Sequence, residues 1–86
     1  MEISVELTLT PLQDDYEQHI IDFIKRLRQS EFTILENPLS TQIFGDYDKI
    51  MSFLTIEIKK AFGNMEHVLA YIKLVKSNRS DYEPDF

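Results

Sequence analysis

The sequence of 86 residues contains no cysteine, two glycines and two histidines. The lack of cysteine excludes disulfide bonds, a thiol nucleophile and any cysteine-ligated metal site. With only Gly45 and Gly63, the chain has no glycine-rich loop of the kind that binds phosphate groups. His19 and His67 do not have the spacing to carboxylates that is typical of a metal site. We therefore expect no metal and no cofactor, and we predict that the protein is not an enzyme.

Basic residues are also scarce in this chain. Nine Lys and Arg stand against 15 Asp and Glu, which gives a formal net charge of −6. Nucleic-acid binding depends on clustered Lys and Arg, so the charge argues against that partner. No apolar run approaches the ~18 residues of a membrane span, and the N-terminus lacks the basic segment of a secretory signal. We expect a cytoplasmic protein without membrane insertion.

Hydrophobic periodicity predicts six secondary-structure elements. Residues 2–10 alternate between polar and apolar, which is typical of a strand with one buried face, and Pro11 should end it. Asp14 and Glu17 resemble a capping box before the first helix, and Asp46 is a good N-cap for the second. The remaining elements are predicted as a helix over 15–29, strands over 32–35 and 40–44, a helix that ends at Gly63-Asn64 in a left-handed turn, and a strand over 67–75.

The order β-α-β-β-α-β predicts a ferredoxin-like α+β fold. We expect a four-stranded antiparallel sheet with the first and third strands central and both helices on one face. Residues 1–79 are assigned to this single domain. Residues 80–86 carry three acidic side chains, no basic one and Pro84, which favours a disordered tail. The alternative is that Tyr82 and Phe86 dock on a neighbouring molecule.

Strand alternation brings polar and aromatic side chains together on the sheet face that the helices leave open. The predicted members are Glu6 and Thr8 of the first strand, Ser40 and Gln42 of the third and Tyr71 of the last. A carboxylate beside hydroxyl and amide groups is suited to hydrogen-bond a flat nitrogenous ring, on which a tyrosine can stack. We therefore predict a small-molecule pocket on this face.

Apolar residues on the same face indicate that a second molecule covers part of it. Phe44, Leu69 and Val75 are expected there, and contiguous exposed apolar area usually marks a contact. A homo-oligomer with two-fold symmetry is the simplest arrangement. Two hypotheses follow: a ligand pocket at the interface between copies, or a structural oligomerisation module that binds no ligand.

Four segments of the chain, taken in order, form a recognisable pattern. They are Glu6-Leu7-Thr8-Leu9-Thr10-Pro11-Leu12, Pro38-Leu39-Ser40-Thr41-Gln42-Ile43-Phe44-Gly45-Asp46-Tyr47-Asp48, Ile72-Lys73 and Asn78-Arg79-Ser80. With these segments the chain resembles the YkoF-like thiamine-binding protein family. Its members have a first strand ending in Pro-Leu or Pro-Met, and a Ser-Thr-x-Ile/Leu-x-Gly segment that enters the second helix.

The resemblance implies a ferredoxin-like domain that forms homodimers or homotetramers through its sheets. It also implies non-catalytic binding of thiamine, or of its hydroxymethylpyrimidine moiety, in vitamin salvage or transport. Thr10 departs from the family, which often has an aromatic residue before the proline. Some members carry two such domains in one chain, so a composite pocket in this single copy requires oligomerisation.

The resemblance ranks the candidate ligand-binding residues. Ser40 and Thr41 match the family's Ser-Thr pair, and Thr8 matches a polar position of the first strand. Gln42 is the variable residue of the motif. The two remaining candidates, Glu6 and Tyr71, come from strand alternation alone.

Two further expectations concern the geometry and the charge of this site. Because neighbouring strand residues face opposite ways, Ser40 and Thr41 should not line the same cavity. A buried Glu6 would accept hydrogen bonds from an aminopyrimidine. Lys73 and Arg79 are the only obvious cations nearby, which favours an unphosphorylated ligand.

Overall fold

A computed structural model describes residues 1–84 and contains six elements in the predicted order. Phe86, which the sequence offered as a docking residue, lies outside the described residues. The elements are β1 (Glu2–Pro11), α1 (Glu17–Arg28), β2 (Thr33–Glu36), β3 (Thr41–Asp46), α2 (Tyr47–Asn64) and β4 (Val68–Val75).

The four strands form one antiparallel sheet in the order β2-β3-β1-β4. The first and third strands are therefore central, and the ferredoxin-like prediction is confirmed. Within residues 1–84, no helix has the length and apolar character needed to cross a membrane.

The hydrophobic core lies between one face of the sheet and the two helices. The alternating apolar residues of β1 point to this side because a strand directs every second side chain to the same face. The helices contribute apolar residues at spacings of three and four, which form one stripe on each helix. The most deeply buried members are Ile3, Val5, Leu7, Phe23, Leu27, Ile43, Ile50 and Leu54.

The predicted cap of α1 is wrong, and the predicted end of α2 is correct in position but not in conformation. Tyr16, not Asp14, is the N-cap of α1, and it makes no side-chain cap hydrogen bond. The preceding segment is held by Gln13, whose Oε1 accepts from the backbone N–H groups of Glu66 and His67. At the other helix, α2 ends at Asn64 as predicted, but the next residue, Met65, is extended and buried in the core, and no left-handed turn forms there.

The third strand was predicted over 40–44, but β3 begins at Thr41 and continues through Gly45 to Asp46. Gly45 pairs with Ile3 on the helix side of the sheet. A Cβ atom at this position would lie 3.0 Å from Cδ1 of Phe32. The glycine therefore allows a close approach of the Phe32 ring and does not interrupt the strand.

Asp46 caps α2 as predicted. Its capping hydrogen bond should make the stability of the fold depend on pH in the acid range. Its Oδ2 accepts from the backbone N–H of Lys49 at 3.2 Å, and this bond lowers the pKa of Asp46 below the ordinary 3.8. A carboxyl with a lowered folded-state pKa stabilises the fold above its unfolded pKa and loses that contribution as pH falls through the folded value. We expect Asp46→Ala to unfold at lower temperature than the parent at pH 7, with the difference narrowing below about pH 4.

Thermal unfolding followed by circular dichroism between pH 7 and pH 2 measures this difference. Asp48→Ala is the matched control because Asp48 is an exposed acidic residue of the same first turn. A difference between Asp46→Ala and the parent that stays constant across this pH range would contradict the prediction.

Candidate functional site

The sheet face away from the helices, here called the open face, carries a carboxylate at its centre. Glu6 of β1 pairs with Gln42 of β3 on one side and with Lys73 of β4 on the other. Directly opposed residues of antiparallel strands have Cβ atoms about 5 Å apart. The register therefore places an amide and an ammonium group on either side of the Glu6 carboxylate.

The Glu6 carboxylate also accepts a hydrogen bond from Ser40, whose Oγ donates to Oε2 at 3.1 Å. Ser40 lies in the turn before β3. In that turn, Oδ1 of Asn37 accepts from the backbone N–H groups of Leu39 and Ser40 at 2.9 and 3.0 Å. Such a turn is a local preference of the Asn-Pro sequence. It holds the Ser40 hydroxyl next to Glu6.

A cavity of about 160 Å³ lies beside this carboxylate on the open face. Polar groups line one part of it and apolar side chains line the rest. We call it the open-face cavity, and its lining residues are Ser4, Val5, Glu6, Gln42, Phe44, Lys73, Val75 and Arg79. Glu6 itself is exposed in the single chain rather than buried as predicted. Small-molecule sites usually enclose about 300 Å³ or more, so this cavity is smaller than a typical one.

The chain after β4 crosses one end of the open face, a feature that the sequence analysis missed. Ser4 is buried there, at 7% exposure. Its Oγ donates to the carbonyl of Ser77 at 2.7 Å and accepts from the backbone N–H of Arg79 at 2.8 Å. Nδ2 of Asn78 donates to Oε1 of Glu2 at 2.9 Å. In the sequence, Ser4 is one polar residue of a regular alternation, so nothing distinguished it beforehand.

A second cavity of about 230 Å³ lies between α1 and the β2–β3 turn. We call it the turn cavity. Its walls come from apolar residues of β1 and α1, and its rim comes from the turn. The lining residues are Leu7, Thr8, Leu9, Ile20, Phe23, Ile24, Asn37, Pro38, Leu39, Ser40 and Thr41.

The structure divides the predicted site residues between these two cavities. Glu6 and Gln42 line the open-face cavity, whereas Thr8, Ser40 and Thr41 line the turn cavity. Ser40 connects the two through its hydrogen bond to Glu6.

Two details differ from the expectations for these residues. Ser40 and Thr41 line the same cavity, although alternation predicted that they would not. Thr41 is buried and pairs with Leu7 on the helix side of the sheet. Ser40 precedes β3 and reaches the cavity from the turn, so strand alternation does not apply to it. Tyr71 pairs with Thr8 on the open face but lines neither cavity. At 72% exposure, its ring is accessible to a ligand or a second molecule.

No group of three or more potential metal-ligating side chains occurs in the described part of the chain. The open face presents side chains that can form hydrogen bonds, charge pairs and stacking contacts, among them Glu6, Lys73 and Tyr71.

Comparison with known proteins identifies the fold but not a family. No family model matches the chain, and no curated protein matches it significantly. Among solved structures, protein SP2199 from Streptococcus pneumoniae is similar, with 25% identity and a TM-score of 0.82 over 91% of this chain and 89% of the other.

Two further structures share the fold at lower identity. One is TM0486 from Thermotoga maritima, named as a candidate thiamine biosynthesis or salvage protein, with a TM-score of 0.79 and 13% identity over 90% of this chain and 85% of the other. The other is a DUF77 domain from Bacillus cereus, with a TM-score of 0.74 and 15% identity over 99% and 85%. The likeness spans nearly the full length of each chain, so these proteins and ours have the same fold.

Proposed function

We propose that this protein binds thiamine or its hydroxymethylpyrimidine moiety without catalysis, as a single-domain member of the YkoF-like family acting in cytoplasmic vitamin salvage or transport. The pocket is formed by the open face within a homo-oligomer. The observation that carries the proposal is the Glu6 carboxylate, held by Ser40 at 3.1 Å and paired with Gln42 beside an apolar wall.

The polar groups of the open face complement an aminopyrimidine. The carboxylate of Glu6 accepts hydrogen bonds from an amino group, and the amide of Gln42 both donates and accepts. Bonds to an ionised acceptor are about twice as strong as bonds between neutral groups. Phe44 and Val75 contribute apolar atoms to the cavity wall. Phe44 is only 5% exposed, so the expectation that it adds exposed apolar area is wrong, whereas Tyr71 is exposed for stacking. The negative charge of Glu6 also suits the cationic thiazolium of thiamine.

The β4 edge supports the oligomer in this proposal. Natural sheets protect edge strands with charges, proline or short length, because an unpaired strand invites association. β4 has eight residues and one charged side chain, Lys73. Ile72 and Leu74 on its helix side, and Leu69 and Tyr71 on its open side, are all exposed. A second copy that covers this strand would bury apolar area and enlarge the open-face cavity.

The structural comparison supports the choice of ligand. TM0486, which shares the fold, is named as a candidate thiamine biosynthesis or salvage protein. The segments that resemble the thiamine-binding family supply Thr8, Ser40 and Thr41. These three residues line the turn cavity, and Ser40 also donates a hydrogen bond to Glu6.

Replacing Glu6 tests the proposal directly. Glu6→Gln keeps the size of the side chain but removes the ionised acceptor. We expect it to weaken binding of thiamine, measured by isothermal titration calorimetry, by about tenfold or more. The matched control is Glu66→Gln, which removes one carboxylate from an exposed position away from both cavities. The control should bind like the parent.

Failure of the folded parent to bind thiamine or hydroxymethylpyrimidine at millimolar concentration would overturn the proposal. Equal weakening by Glu6→Gln and Glu66→Gln would show that only net charge matters. That result would remove Glu6 from the site.

The second candidate function is a structural oligomerisation module that binds no ligand. The exposed Leu69, Tyr71, Ile72 and Leu74 of β4 favour it. It predicts a stable oligomer by sedimentation velocity that gives no binding heat with either compound. A ring-sized pocket between copies in a crystal structure would contradict it.

A further inference from the structure

The chain around β4 concentrates positive charge in an otherwise acidic protein. Residues 67–79 contain Lys73, Lys76 and Arg79 and no Asp or Glu, whereas the whole chain has a formal net charge of −6. Two of these cations, Lys73 and Arg79, line the open-face cavity. The third, Lys76, is exposed and does not line it.

Neither cavity cation forms an ion pair with the described residues. Lys73 lies directly across from Glu6 in the sheet, yet no Glu6 oxygen lies within 4 Å of its Nζ among residues 1–84. The carboxylate is engaged by the Ser40 hydroxyl instead. Within the same range, Arg79 also has no carboxylate partner. The cavity therefore presents two cations against one carboxylate.

The backbone of Arg79 is held beside the cavity by partly buried hydrogen bonds. The Ser4 hydroxyl on the central strand accepts from the backbone N–H of Arg79 and donates to the carbonyl of Ser77. Asn78, between them, is bound to Glu2. Glu2 and Ser4 of β1 thus hold residues 77–79, and the backbone of Arg79 has a defined position beside the cavity.

We propose that Lys73 and Arg79 form an anion subsite that binds the phosphate group of a phosphate monoester of thiamine or hydroxymethylpyrimidine. The ring-binding half of this inference rests on the proposed function, and the subsite narrows the ligand to its phosphorylated form. The guanidinium of arginine matches phosphate oxygens in a two-bond geometry, and lysine adds a compact point charge. A phosphate monoester carries about −1.5 to −2 at pH 7, which two cations can balance.

The charge distribution of the cavity also suits a ligand with two different ends. Glu6 and Gln42 lie next to each other on the central strands, and Lys73 and Arg79 lie on β4 and the segment after it. When an aminopyrimidine or thiazolium ring binds Glu6 and Gln42, the phosphate group of the same ligand lies next to Lys73 and Arg79. The sequence favoured an unphosphorylated ligand because Lys73 and Arg79 were the only obvious cations nearby; it did not reveal that both line one cavity or that Ser4 binds the backbone of Arg79.

Calorimetric titration of the parent with thiamine and with thiamine monophosphate tests the subsite. We expect the monophosphate to bind about tenfold more tightly than thiamine. Arg79→Gln and Lys73→Met should each bring this ratio towards one, because each removes a cation that favours the monophosphate over thiamine. Lys76→Met is the matched control, because it removes a cation from the same segment outside the cavity, and it should keep the parent's ratio.

A second titration separates this inference from the proposed function. Inorganic phosphate is added to the isotopically labelled protein, and the backbone amide signals of Lys73 and Arg79 are followed by NMR. Saturable shifts in the parent that disappear in Arg79→Gln would support the subsite even if thiamine does not bind. Equal binding of thiamine and its monophosphate by the parent, or an equal loss of preference in Lys76→Met and Arg79→Gln, would overturn it. The absence of binding by all three compounds would overturn both proposals.

Discussion

Ile50→Ala is expected to lower the free energy of unfolding by about 3 kcal/mol. Ile50 is 0% exposed in the first turns of α2, and its Cδ1 would lie 3.5 Å from a Cβ at Gly45 of β3. Truncation removes buried methyl groups and leaves a cavity that close-packed neighbours fill only in part. Small domains are stable by about 5–15 kcal/mol in total, so this single change removes a large share.

The control for this prediction is Ile56→Ala, which makes the same substitution in the same helix. Ile56 is 56% exposed, so its truncation opens no cavity. We expect its effect to stay within about 0.5 kcal/mol. Urea unfolding followed by circular dichroism measures both variants. Similar losses from Ile50→Ala and Ile56→Ala would show that the effect comes from the helix itself and not from the core.

The fold could be predicted because the hydrophobic pattern changes period at each element. Alternation over β1 and apolar spacing of three and four over α1 and α2 determine which side chains face the core. Once the order of elements is known, handedness and connection rules leave few topologies. The observed sheet order, with β1 and β3 central, follows from this reasoning.

The start of α1 and the conformation after α2 could not be predicted because distant contacts are involved. The segment before α1 is held by Gln13, whose side chain binds backbone groups of Glu66 and His67 more than 50 residues away. The end of α2 at Asn64 was predicted, but Met65 after it is extended and buried in the core, so the expected left-handed turn does not form. Local signals describe only the isolated segment, and here the energy of packing is larger.

In the site, too, the parts that follow from local sequence patterns were predicted, and the parts that depend on contacts between distant residues were not. Alternation correctly placed Glu6, Gln42 and Tyr71 on one face, because the side-chain period of a strand is two. The bond between Ser4 and Arg79 joins residues 75 positions apart, and no short-range pattern encodes it. The turn cavity likewise depends on how α1 packs beside the β2–β3 turn.

Arg26→Met is expected to lower the free energy of unfolding by about 2–3 kcal/mol. Nε of Arg26 on α1 donates to Oε2 of Glu57 on α2, and Glu57 is only 7% exposed. Without Arg26 the buried carboxylate keeps Lys60, at 3.4 Å, as its one remaining cation among residues 1–84. The expected loss lies below the about 3–5 kcal/mol typical of a broken buried pair because the Arg26 side chain is 26% exposed. Cζ of Arg26 also lies 5.9 Å from the centroid of the Phe23 ring, and methionine removes this cation–π contact while keeping an apolar side chain at the position.

The double variant Arg26→Met with Glu57→Leu distinguishes an unpaired buried charge from lost packing. Replacing both members of a buried ion pair by apolar residues is often neutral, because the desolvation cost of the charges disappears with them. We therefore expect the double variant to recover most of the loss in urea unfolding. Arg28→Met serves as the surface control, since the Arg28–Glu36 pair is solvent-exposed and such pairs contribute little. If the double variant is as unstable as Arg26→Met alone, packing by the arginine stem is the main contribution, and the ion pair between the helices is incidental to stability.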